Sequence, residues 1–198
     1  MHPIKELIDQ FQKLPSVGPK TARRFVYFLI NKNGGRYLND FENALREVKE
    51  KIGICKRCFN IAEGDLCSIC NNQERDHQTI CIVEEALDIL PIEESLGFNG
   101  VYHVLGGAIN PTTTDENALQ GLHINELIDR IKSETLKEII LAFNHSAEGE
   151  TTALYIMKLL SPLKIKISRL GRGLPTGGDI EYADPETLKG AFRGRQNV

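Results

Sequence analysis

Apolar residues recur at helical spacing over the first fifty positions of the chain. Ile4, Leu7, Ile8, Phe11 and Leu14 mark one face of a helix over 4–14. The stretch Pro15-Ser16-Val17-Gly18-Pro19 breaks it, and a second helix is expected over 20–31, ended by Asn33-Gly34-Gly35. A third, over 38–51, is expected to bury Phe41, Leu45 and Val48. Three such helices make too small a core to stand alone, so they are expected to lean on the rest of the chain. Residues 53–77 are short of apolar residues and dense in Cys, Gly, Asn and Asp, which calls for a staple other than a hydrophobic core. From Thr79 the pattern changes to near-continuous apolar strands at 80–83, 101–105, 138–143 and 165–167. Helical patterns lie between them, notably 124–132, with Ile124, Leu127, Ile128 and Ile131, and 151–160. Apolar strands alternating with helices predict a parallel sheet covered on both faces.

Composition alters this picture little. Apolar content of 41% and charged content of 26% suit a soluble globular chain, and no apolar run approaches the ~20 residues of a membrane span. The N-terminal residues lack a signal-peptide pattern, so a cytoplasmic location is expected. Charge is more informative, because the net −3 is unevenly spread. Residues 1–52 carry ten Lys/Arg against six Asp/Glu, 81–160 carry four against thirteen, and 161–198 carry seven against four. A polyanion would be drawn to the two ends and repelled by the middle.

The segment from Leu14 to Arg24 holds the first candidate chemistry. Gly18 is free to take a positive φ, and Pro19 suits the first turn of a helix. The turn would present backbone N–H groups at a helix N-terminus, where phosphate binds well. Lys20, Arg23 and Arg24 follow on one helical face, giving phosphate contacts that are salt-dependent and indifferent to sequence. A plain αα-hairpin with a solvated basic face is the alternative. The stretch resembles the helix-hairpin-helix DNA-binding motif, with Ser16 where that motif usually has its first glycine.

Four of the five cysteines fall within sixteen residues, as Cys55-x2-Cys58 and Cys67-x2-Cys70. Two such knuckles can supply the four thiolates of a tetrahedral zinc site with no position left for water, so the role expected is structural. A redox dithiol is the competing reading. Cys81 sits in an apolar strand and is expected to be core packing.

The first parallel strand ends at Glu84-Glu85, and the strand over 138–143 leads into Glu148-Gly149-Glu150 at the start of a helix. Ligands in such folds bind at the C-terminal edge of the strands. Glu84, Glu148 and Glu150 are therefore a candidate acidic cluster for Mg²⁺ or for a basic partner, unless the last two only complement a helix N-terminus. The arrangement is similar to the Toprim domain of topoisomerases, primases and some nucleases, with Glu-Gly-Glu where those enzymes usually have Asp-x-Asp. His103, His123 and His145 have no partners at metal-ligand spacing and are expected to be structural or exposed.

These motifs in this order, followed by Gly173-Leu174-Pro175-Thr176-Gly177-Gly178-Asp179, resemble the RecR family of bacterial recombination mediators over essentially the whole chain. One departure is Phe143-Asn144-His145-Ser146-Ala147, where the family typically reads Thr-Asn-Pro-Thr-Val. The resemblance implies a multidomain α/β protein: a helix-hairpin-helix DNA-binding region over 1–52, a four-cysteine zinc module over 53–78, a Toprim-like domain over 79–170, and a C-terminal extension over 171–198 used in oligomerisation. It implies a non-catalytic DNA-repair protein that binds single- and double-stranded DNA without sequence specificity. Its partners would be RecO and RecF, its task loading RecA onto single strands, and its form a ring-shaped homotetramer associated with the nucleoid during repair. A Mg²⁺-dependent Toprim nuclease is the alternative, which would keep the acidic trio but need neither hairpin nor zinc.

Overall fold

The computed structural model describes residues 2–31, 35–112 and 119–195. The Asn33-Gly34 part of the turn expected after the second helix lies outside the described residues. The chain forms two compact units, 1–53 and 54–198.

The first unit contains α1 (Pro3–Phe11), α2 (Pro19–Asn31) and α3 (Arg36–Lys51). Helix α1 ends earlier than its apolar pattern. Lys13 and Leu14 donate to the carbonyls of Gln10 and Phe11 in tighter turns, because Pro15 disfavours a helical backbone at Leu14. Ala22, Val26 and Leu29, one stripe of α2, are buried. Phe11 packs edge-on to Phe25 at 5.8 Å and stacks on Phe41 at 6.3 Å. The burial expected of α3 is not found: Phe41 is 36% exposed, and Leu45 and Val48 are each 57% exposed. The amphipathic period is there, but this small unit offers no surface of its own to cover that face.

The second unit opens with the cysteine module. Strands β1 (Ile52–Ile54, spanning the division between units) and β2 (Ile61–Glu63) pair, and α4 (Ser68–Asn71) follows. Next come β3 (Asp76–Val83), α5 (Ile89–Glu94), β4 (Gly100–Val104), α6 (Ile124–Ser133), β5 (Glu138–Ala142), α7 (Ala147–Leu160), β6 (Lys166–Arg169) and α8 (Pro185–Arg193). The strands form one sheet in the order β4-β3-β5-β6, every neighbouring pair parallel. Ile80, Ile82, Val101, Ile139 and Leu141 face one side, against Leu127 and Ile131 of α6 and Ala153, Ile156 and Leu160 of α7. Cys81, Val83, Tyr102, Val104 and Ala142 face the other, against Ile89 of α5 and against Phe59 and Ile69 of the cysteine module. The module thus closes part of the core that helices leave open.

Candidate nucleic-acid interface and metal centre

The turn between α1 and α2 is closed by Val17, whose N–H donates to the Leu14 carbonyl at 3.2 Å. Its left-handed residue is Ser16, with φ +63°, and not Gly18, which stays outside that region. Ser16 therefore bears a strain that glycine would not. Beyond the adjoining backbone, no atom of the described residues lies within 4 Å of where a Cβ on Gly18 would stand. Neither backbone conformation nor internal packing requires a glycine at 18, and its bare backbone faces open space. Helix α2 starts there, Ala22 donating to the Gly18 carbonyl at 2.9 Å, with no acidic residue in its first turn. Lys20, Arg23 and Arg24 are all exposed, and among the described residues none of them pairs with a carboxylate. Three uncompensated cations on one turn of helix, beside open backbone, are chemically suited to an anionic ligand.

The cysteine module brings the Sγ atoms of Cys55, Cys58, Cys67 and Cys70 within 4.8 Å of one another, all four buried and none in a disulfide. The first knuckle turns through Phe59, at φ +64°, with Cys55 donating to the Asn60 carbonyl at 2.7 Å and Phe59 to the Cys55 carbonyl at 3.0 Å. In the second, the sulfur of Cys67 caps α4 by accepting the Cys70 N–H at 3.4 Å. The Cys70 thiol is held down to about 6 by its hydrogen bond from Cys58, with the nearby Arg130 charge acting in the same sense, while Cys58 is pushed up. Buried thiols that cannot all ionise unaided suit a cation, which would deprotonate them together.

The module is tied to the sheet domain by groups that spacing could not reveal. Val104 donates to the Cys58 carbonyl at 2.8 Å. The Phe59 ring stacks on His123 at 3.9 Å. Arg57 donates to Glu134 at 3.1 Å and to Nδ1 of His77 at 3.0 Å, and Arg130 meets the same Glu134 oxygen at 3.1 Å. His103 is fully buried, its Nε2–H donating to the His123 carbonyl at 2.8 Å. Burial, then the Arg130 charge, pushes its imidazole down to about 4, so it is neutral at physiological pH.

The acidic trio does not assemble as expected. Among the described residues the four cysteines are the only group whose ligand atoms converge for a metal. Glu84 is 8% exposed and turned inward, accepting the backbone N–H of Asn144 at 2.8 Å and its side-chain amide at 2.7 Å. Glu150 is clamped by Arg169, through contacts of 2.8 and 3.1 Å, and by Arg172. Of the three, Glu148 alone is exposed. Gly149 between them is a steric necessity: a Cβ there would stand 2.1 Å from the Asn144 carbonyl oxygen and 2.9 Å from Glu84 Oε1. Sequence reasoning missed Arg169 and Arg172, which reach Glu150 across 19 and 22 residues with no periodic signal. His145 lines an open hollow with Ser146 and Arg172 and makes no metal group. No helix among the described residues is long and apolar enough to cross a membrane.

Four family models match the chain in succession: RecR helix-hairpin-helix over 4–48, the RecR four-cysteine zinc finger domain over 52–72, Toprim domain over 78–171, and RecR C-terminal over 173–196. Among curated relatives, the recombination protein RecR of Cutibacterium acnes is 46% identical over 99% of this chain and 96% of its own length. That of Chloroflexus aurantiacus is 46% identical over 99% and 95%, and that of a Roseiflexus species 43% over 99% and 94%.

Proposed function

Since the chain belongs to the RecR family of recombination proteins, we propose that it is a non-catalytic DNA-binding mediator of recombinational repair. It binds single- and double-stranded DNA without sequence preference through Lys20, Arg23 and Arg24, with Gly18 letting the phosphate backbone approach the hairpin. The observation that carries this reading is the trio of exposed, unpaired cations beside a glycine that neither φ nor packing demands. The test is a DNA titration of Lys20→Ala/Arg24→Ala across salt concentrations. Binding should weaken on all sequences alike, and the salt slope should flatten by about one unit per lost phosphate contact. Unchanged affinity and slope in a folded variant would remove the hairpin from the DNA interface.

One zinc ion held by Cys55, Cys58, Cys67 and Cys70 is the second part of the proposal, supported by the convergence of the thiols and the match to a four-cysteine finger. Its role is structural, holding Phe59 and Ile69 against the sheet. In the cell the protein acts with RecO and RecF to load RecA, in the bacterial cytoplasm and at the nucleoid during repair. Of the three carboxylates first considered for a partner surface, Glu148 is the exposed one, so Glu148→Ala should weaken association with RecO while DNA binding persists. A ring-shaped homotetramer would cover the apolar face of α3 and the exposed Ile180, Tyr182 and Phe192 of the C-terminal extension. The nuclease alternative has little support, since Glu84 and Glu150 are committed to Asn144 and to two arginines. Mg²⁺-dependent nicking that Glu148→Ala abolishes would restore it.

A further inference from the structure

Helix α2 carries three aromatic side chains beside its cations, and two of them have ring partners. Phe25 packs edge-on to Phe11 at 5.8 Å, and Phe28 edge-on to Tyr37 at 5.4 Å. Tyr27 is 53% exposed, and among the described residues it makes no ring contact or hydrogen bond. Lys20, Arg24, Tyr27 and Asn31 stand at positions i, i+4, i+7 and i+11, one face of the helix, and Arg24, Tyr27, Phe28 and Asn31 line a shallow hollow on it. The cations lie nearer the helix N-terminus, and the free ring follows ~10 Å along the axis from Lys20.

We infer that Tyr27 is a base-stacking platform that gives this interface its preference for unpaired nucleotides. The inference rests on the DNA-binding reading above and names the form of substrate that the same surface selects. Lys20 and Arg24 neutralise phosphates in either form of DNA. An aromatic face adds to binding only where a base face is free, as in a single strand or at a gap, because in a duplex neighbouring bases already cover both faces. Charge selects the occupant, since an apolar partner protein would leave three cations unmatched, whereas a single strand satisfies the cations and the ring together.

The test measures binding of an oligothymidylate and of a duplex of equal length to the full-length protein. Tyr27→Ala should weaken single-strand binding about tenfold, from the usual stacking contribution per base, and duplex binding less than about twofold. Tyr27→Phe should restore the single-strand value, because the ring and not the hydroxyl stacks. The chain has no tryptophan, so Tyr27→Trp introduces a unique fluorophore whose emission the oligothymidylate should quench and the duplex should leave nearly unchanged. Equal losses on both DNA forms, or an unquenched tryptophan at saturation, would overturn the inference. So would a change in oligomeric state on Tyr27→Ala, which would assign the ring to a contact between protein chains. If Lys20→Ala/Arg24→Ala weakens binding as expected while Tyr27→Ala changes nothing, the DNA-binding reading survives and the stacking platform fails.

Discussion

Glu84 holds Asn144 twice, its Oε1 accepting the backbone N–H at 2.8 Å and its Oε2 the side-chain amide at 2.7 Å. The carboxylate at the end of the first parallel strand is thereby a fastener for the loop that follows β5 and starts α7. Removing it leaves two donors, one of them a backbone N–H, without their acceptor in part-buried hydrogen bonds. Glu84→Ala should cost ~2–4 kcal/mol of stability and Glu84→Gln, which keeps one acceptor, about half of that, read from urea unfolding. Gly149→Ala should cost a similar ~1–3 kcal/mol by overpacking, since its Cβ would press on the Asn144 carbonyl.

Ser16→Gly should raise stability by ~0.5–1 kcal/mol. The left-handed conformation at +63° costs serine roughly 1–2 kcal/mol, of which the greater unfolded-state freedom of glycine offsets a part. Ser16→Val should be destabilising, because a branched side chain tolerates that conformation least. Thermal unfolding of the two variants beside the parent decides the matter, and a Ser16→Gly protein that melts lower would disprove the strain.

Purified protein should carry one equivalent of zinc, and Cys67→Ser should lose most of it together with the sulfur cap of α4. Chelation should do more than unfold the module. The Val104 N–H bonds the Cys58 carbonyl, and Phe59 and Ile69 cover the sheet face around Val83 and Tyr102. Amide exchange at β4 should therefore accelerate on metal removal while the α6–α7 side of the sheet stays protected. Uniform acceleration across the domain would mean that the module supports the whole fold.

Stability should fall on acidification below neutrality, in part through His103. Its folded value, about 4 against 6.5, is depressed by burial and by Arg130. The unfolded chain then binds this proton more readily between those two values. The stabilisation is complete above 6.5 and is lost as pH falls towards 4, up to ~3 kcal/mol in all. His103→Gln cannot titrate and should flatten that part of the pH profile. Acidification would also release a metal held by the four cysteines, so the comparison of variant with parent, and not the parent alone, isolates the histidine.

Local spacing made much of this protein legible. The period of Ile124, Leu127 and Ile131 placed α6, the apolar runs placed all four parallel strands, and two CxxC pairs placed the buried thiols. What stayed hidden depends on contacts between distant residues. Helix α5 is six residues long and contains Pro91, too short for a period to show. The outward face of α3 has the same pattern as a buried one, because periodicity says which residues share a side and not what covers them. Nor could spacing tell that Glu150 meets Arg169, or that Glu84 turns inward to Asn144. Carboxylates placed at one sheet edge by topology look like a cluster until their side chains are seen to point apart.

The clamp of Arg169 and Arg172 on Glu150 also bears on how this chain can change over generations. A carboxylate neutralised by two guanidiniums becomes a free ligand only if both are replaced, and each single replacement leaves the other cation in place and weakens the clamp. Glu84 is likewise released only after another group takes over Asn144. Any lineage moving from this site towards metal-dependent chemistry must therefore pass through several substitutions that lower stability before one raises activity. Drift along that path meets a valley, and the arginines that occupy Glu150 today help to keep it out of a metal site.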